Sequence, residues 1–108
     1  MEILFRDKDL QDLYETGKSN NKFYNRLPLS VKRGFIKAYK ILSVAERIED
    51  LFQYNGLHYE RLQGKNKYES VRCDKKYRLI FTSSSAEQNS VIITKIELIE
   101  INNHYDDN

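Results

Sequence analysis

Glu60, Arg72 and Arg78 fall in one stretch of a 108-residue chain, and His104 and Tyr105 stand near its end. A carboxylate, two guanidinium groups, an imidazole and a phenol are what metal-free RNA cleavage needs. A base takes the proton from a 2′-hydroxyl, arginines stabilise charge on the phosphorane, and a protonated group serves the leaving 5′-oxygen. The same residues also fit an ordinary exposed sheet face, where cross-strand Glu–Arg pairs contribute about 0.2–1 kcal/mol each. Residue types alone leave both readings open. Other chemistries find less support. The chain has no glycine-rich phosphate loop, no G-x-S-x-G step and no closely spaced histidine pair, since His58 and His104 are far apart. A lone Cys73 rules out both a disulfide framework and a cysteine-based zinc cluster. No metal or cofactor is expected.

The elements that must carry these residues change character midway along the chain. Residues 2–5 read as a short apolar strand. Leu10, Leu13, Tyr14 and Gly17 recur at helical spacing and end on a glycine stop. Residues 18–22 read as a polar connection. A second helix starts near Pro28, which suits a first turn because it lacks the N–H that would be orphaned there. Val31, Phe35, Ala38, Tyr39 and Leu42 form its apolar stripe, with Lys32, Arg33, Lys37 and Lys40 on the other side. Ser43 to Glu46 has capping-box spacing and restarts a short helix carrying Ala45, Ile48 and Phe52, which stops at Asn55-Gly56. From Leu57 onward the period becomes that of strands. Residues 68–73 and 77–82 flank Asp74-Lys75-Lys76 as a hairpin. Residues 83–90 read as a polar loop. Val91 to Ile101 reads as a long strand whose two apolar phases need a bulge or bend near Leu98. Alternation puts Leu57 and Tyr59 toward the core, and Glu60, Arg72 and Arg78 on the opposite, open face, with His104 and Tyr105 able to close one end of it. His58 reads as a partly buried strand residue. The expected class is α+β: one domain over residues 1–108, with an antiparallel sheet of four to five strands and two to three N-terminal helices on one face.

Composition sets the outer bounds. With 40% hydrophobic and 31% charged residues the chain is neither disordered nor membrane-embedded, and no apolar run approaches a membrane span. The N-terminal apolar stretch is too short for a signal peptide, so a reducing cytoplasm is the expected compartment. Net charge is only +2, but residues 57–82 carry seven basic and three acidic side chains, while residues 83–108 carry one basic and five acidic. A basic segment beside an acidic one fits a local anion-binding patch or a solvated lysine-rich hairpin.

Taken in order, Glu60-Arg61-Leu62-Gln63-Gly64, Tyr68-Glu69-Ser70-Val71-Arg72, Tyr77-Arg78-Leu79-Ile80-Phe81 and Asn103-His104-Tyr105 resemble the RelE/ParE superfamily of bacterial type II toxins, its HigB-like and YoeB-like members in particular. The resemblance takes in nearly the whole chain, including Leu13-Tyr14-Glu15-Thr16-Gly17. It implies a RelE-like fold and a toxin that enters the ribosomal A site and cuts mRNA there. It also implies a cognate antitoxin bearing a DNA-binding helix-turn-helix. Carried over residue by residue, Glu60 takes the place of the general base, Arg72 and Arg78 those of the phosphate-holding arginines, and His104 that of the group protonating the leaving oxygen. Tyr105 falls on the tyrosine after that histidine. Arg61 and Lys76 are further expected phosphate or RNA contacts. The sequence departs from the pattern at Gln63, where relatives carry lysine, and at Asn102-Asn103, where HigB-like chains tend to have Asp-Tyr. His58 lies two residues before the family's histidine position. Two further readings share the fold: a ParE-like toxin that poisons DNA gyrase without cutting RNA, and an inactive relative that binds only its antitoxin.

Overall fold

The computed structural model describes residues 1–64, 66–88 and 90–103. Asp7 starts the first long helix: its carboxylate accepts from the Leu10 N–H, and Gly17 ends the helix in the left-handed region at φ 77°. The elements run β1 (Glu2–Phe5), α1 (Lys8–Thr16), α2 (Lys22–Asn25), α3 (Leu29–Val44), two 3₁₀ turns (Ile48–Gln53 and Asn55–Leu57), β2 (Glu60–Arg61), β3 (Glu69–Arg72), β4 (Arg78–Ser84) and β5 (Lys95–Asn102). The strands form one sheet in the order β1-β5-β4-β3-β2. The expected α+β architecture is therefore present. Its pairs are antiparallel except for β1, which lies parallel to β5 at the sheet edge. No described helix is long and apolar enough to cross a membrane.

The hairpin falls where alternation placed it. Asp74 Oδ1 accepts from the Lys76 and Tyr77 N–H groups, each at 2.8 Å, and so closes the turn between β3 and β4. A register shift follows on β5. Ile80 pairs with Glu100 and Phe81 with Leu98, which leaves Ile99 as the extra residue. This bulge returns Ile101 to the face of Ile96 and Leu98, reconciling the two apolar phases.

The described helices pack on one face. Leu10 and Leu13 of α1, Tyr24 of α2, and Val31, Phe35, Ala38 and Leu42 of α3 meet Val71, Leu79, Phe81, Ile96, Leu98 and Ile101 of the sheet. A Cβ at Gly34 would overlap the Cys73 carbonyl oxygen, so only glycine lets α3 lie this close to the end of β3. On the β1 side, the Tyr14 and Tyr39 rings stack at 4.0 Å and Phe5 lies over Tyr39 at 5.9 Å.

Four local expectations need correction. The connection at 18–22 contains the start of α2, capped by the Asn21 carboxamide, which accepts from the Tyr24 N–H at 3.0 Å. The helical restart after α3 is not capped by Ser43, whose hydroxyl donates back to the Lys40 carbonyl. Asp50 instead accepts from the Glu46 and Arg47 N–H groups. The strand expected from Leu57 is only Glu60–Arg61, because His58 turns into the left-handed region (φ 45°, ψ 58°). The last strand begins at Lys95, and the Ile93 N–H is spent on the Glu46 carbonyl at 2.8 Å.

Candidate nucleic-acid site on the open sheet face

Pairing register sets two rows on the face turned away from the helices. Glu60 lies opposite Ser70, Ser70 opposite Ile80 and Ile80 opposite Glu100. In the next row Arg72 lies opposite Arg78, and Arg78 opposite Asn102. Glu60 is thus the diagonal neighbour of Arg72, a relation that sets two residues roughly 7–8 Å apart, within reach of long side chains. Alternation had placed Glu60, Arg72 and Arg78 together, and the register does bring them to one corner of the sheet.

Arg78 is a rare side chain for a sheet interior, only 2% exposed. Its Nε donates to Ser70 Oγ at 2.8 Å and its Nη2 donates to the His58 carbonyl at 2.6 Å. The left-handed turn at His58 is what aims that carbonyl at the guanidinium. His58 therefore serves through its backbone, as an exposed residue, rather than as a partly buried side chain of a strand.

Arg72 is in a different state. Its Nε is buried and has no hydrogen-bond partner. A second guanidinium stands directly across the strand pair, an arrangement of like charges that costs stability. Neither Arg72 nor Glu60 has an ion-pair partner among the described residues. Among the described residues, then, Glu60 and Arg72 form no Glu–Arg pair of the kind that an ordinary exposed face would carry. An orphaned guanidinium N–H beside a second arginine is a place for an anion that none of the described residues supplies.

The neighbouring elements hold this corner in shape. Glu69, on the helix side of β3, is 2% exposed. Its Oε1 accepts from the Tyr59 hydroxyl at 2.6 Å, and its Oε2 accepts from the Ser83 N–H at 2.9 Å and hydroxyl at 2.7 Å. This tie fastens the two-residue β2, and so Glu60, to β3 and β4. Burial and the Glu69 carboxylate together push the Tyr59 hydroxyl up from its ordinary value. The Cys73 thiol, beside Arg72, is pushed up to about 12 by burial, with Asp74 adding to it. A thiol held protonated in this way is no nucleophile near neutral pH.

The other expected residues divide. Lys76 is in the β3–β4 turn, next to the Arg72–Arg78 row. Arg61 is not on that face. It pairs opposite Glu69 and lines a cavity of about 440 Å³ on the other side, with Tyr59 and Ser83. β5 ends at Asn102, opposite Arg78, while His104 and Tyr105 lie outside the described residues. Among the described residues no three His, Cys, Asp or Glu side chains gather as a metal-binding group.

One feature of the face escaped the sequence reading. Arg6, just past β1, donates to the Tyr68 hydroxyl at 3.0 Å, and its guanidinium lies 5.8 Å from that ring's centroid. An ion pair to Glu97 at 3.5 Å completes the contact. The clasp joins β1 to the start of β3 across the intervening strands. No local pattern signals it, because its two residues are 62 positions apart.

Comparison with known proteins bears on what these rows are for. Over 90 residues the chain is 31% identical to an uncharacterised protein of Haemophilus influenzae strain Rd, covering 82% of this chain and 85% of the relative. Residues 3–97 match the family model described as RelE-like toxin of type II toxin-antitoxin system HigB. That span includes Glu60, Arg72 and Arg78 and stops short of His104 and Tyr105. With nearly all of its strands and helices inside the matched span, the chain belongs to the HigB-like family of RelE-like type II toxins.

Proposed function

We propose that this toxin is a ribosome-dependent mRNA endonuclease that works by general acid–base catalysis on the open sheet face. The observation that carries the reading is the orphaned Arg72 Nε in a cross-strand arginine row, with the carboxylate of Glu60, unpaired among the described residues, one strand away. Such a corner accepts a phosphodiester and puts a base next to it.

In this mechanism Glu60 takes the proton from the 2′-hydroxyl. The 2′-oxygen attacks phosphorus, and the bond from phosphorus to the 5′-oxygen breaks. Arg78, held by Ser70 and His58, stabilises the added charge on the phosphorane, and Arg72 holds a non-bridging oxygen. His104 gives its proton to the leaving 5′-oxygen. Tyr105 and Lys76 position the nucleotides. The products are a 2′,3′-cyclic phosphate and a free 5′-hydroxyl. The ribosome and its mRNA are the substrate partners, in the cytoplasm.

The test is cleavage of a defined mRNA on programmed ribosomes by the wild-type chain and by Arg78→Ala and Arg78→Lys. The wild-type chain is expected to cut and leave cyclic-phosphate ends. Arg78→Ala should be slower by about 10²–10³-fold, the usual loss for one charge-stabilising donor. Because Arg78 also anchors Ser70 and His58, each variant's thermal melt is read alongside. A folded Arg78→Ala chain cutting at the wild-type rate would refute the mechanism.

A further inference from the structure

The α3 helix has apolar side chains on two sides. Val31, Phe35, Ala38 and Leu42 face the core, and Ile41, itself a buried core residue, forms the bottom of an outer groove whose other apolar residues are Ile36, Val44 and Tyr54 from beyond the first 3₁₀ turn. The groove encloses about 430 Å³. Val44 is 72% exposed and Tyr54 41% exposed, so this apolar floor is open. A second hollow of about 350 Å³ shares Ile41, Val44 and Tyr54 and extends the groove toward the end of α3. Arg33, Lys37 and Lys40 form the rim at the other end.

The groove is lined by no residue of the catalytic reading, although Lys37, Ile41 and Tyr54 also line a neighbouring hollow of about 300 Å³ that reaches Arg72. We propose that the groove is the docking site for an acidic amphipathic helix of the cognate antitoxin. The partner's existence follows from membership of the type II toxin family, and its chemistry follows from the groove. An open apolar floor asks for side chains at i, i+3 or i+4, and i+7 of an incoming helix. The basic rim asks for Asp or Glu flanking them. A second copy of this chain fits poorly. A two-fold contact centred on the groove would set Lys37 of one copy against Lys40 of the other, two like charges at its middle. RNA would use the rim but gain little from a floor of Ile36, Ile41 and Val44. From Arg33 to Val44 the groove runs along about three turns of α3, enough to seat a partner helix of similar length.

The experiment uses the chain with the product of the neighbouring antitoxin gene, and calorimetry measures their Kd. Val44→Asp charges the floor, and Lys37→Glu with Lys40→Glu reverses the rim. All three positions are exposed, and melting curves check that the fold is kept. Each variant should bind the antitoxin at least about 30-fold more weakly, as befits the centre of an interface. Reversing acidic residues of the antitoxin helix to lysine should restore binding to the rim variant. The proposal is overturned if both variants bind within about threefold of the parent. It is also overturned if the free parent is a dimer that Val44→Asp dissolves while antitoxin binding stays intact. A rim variant that loses mRNA cleavage at unchanged antitoxin Kd would make this an RNA surface instead. The docking proposal does not rest on the catalytic reading: a chain that binds antitoxin here yet never cuts mRNA leaves docking standing and removes catalysis.

Discussion

The two faces of the sheet share the same strand alternation but are completed in opposite ways. On the helix-covered face Val71, Leu79, Phe81, Ile96 and Leu98 are sealed by α1 and α3, and the buried carboxylate there, Glu69, accepts three hydrogen bonds. On the open face the Arg72–Arg78 row keeps two like charges side by side, and one buried donor has no acceptor. A protein selected for stability alone would have no reason to keep that second arrangement, because a buried unmade hydrogen bond costs about 1–3 kcal/mol. On the proposed reading, the difference separates residues whose partners are within the chain, Arg78 among them, from Arg72, whose partner would come from outside.

Substitutions should divide the same way. The largest separation is expected from Glu60→Gln. It removes a base from the open face without touching the core, and mRNA cleavage should fall about 10²–10⁴-fold while the melting temperature stays within a degree or two. Next comes Phe35→Ala, on the sealed face, where a fully buried ring is lost. Denaturant titration should show about 3–5 kcal/mol less stability, with cleavage per folded molecule unchanged. If Phe35→Ala lowered turnover of the folded fraction as strongly as Glu60→Gln, the two faces would not be separable.

A smaller effect is expected from pH. The Cys73 thiol is raised to about 12 in the folded chain, so its contribution is fully present below the unfolded value near 9. Above that, the unfolded chain sheds the proton first, and stability should fall as pH rises toward 12. The slope is about 1.4 kcal/mol per pH unit for one group. Tyr24, raised to about 12 mainly by burial, joins above pH 10. Urea titrations at pH 8, 9 and 10 should show the fall, and Cys73→Ala should flatten it. An equal slope in Cys73→Ala would mean that the thiol is ordinary.

The sealed face was the more legible of the two in the sequence. Helical spacing located Leu10, Leu13, Val31, Phe35 and Leu42, and strand alternation located Val71, Leu79 and Phe81, because burying one face imposes a period on the residues that form it. Even the bulge at Ile99 was foreshadowed by the phase clash between Leu98 and Ile101. The parallel partner of β1 was not legible, because pairing across more than ninety residues leaves no local mark. A four-residue α2 is likewise too short to show a period. On the open face, alternation alone aligned Glu60, Arg72 and Arg78. It did not reveal that Arg78 would be buried and anchored, nor that Arg72 would be left with an orphaned donor. Those facts depend on the left-handed turn at His58 and on the register between β3 and β4. Arg61 shows the opposite case: it shares a phase with Tyr59, so its place on the far face was readable from the same alternation.

The central claim is that Arg72 is kept for an external anion at the expense of stability. Arg72→Met retains the length of the side chain and removes both the orphaned donor and the like charge beside Arg78. Paired measurements on this one variant, a denaturant titration and mRNA cleavage on programmed ribosomes, test the claim most directly. The account predicts stability equal to or above that of the parent, with cleavage reduced about 10²–10³-fold. A variant that is less stable by more than about 1 kcal/mol and still cuts at the parent's rate would contradict it.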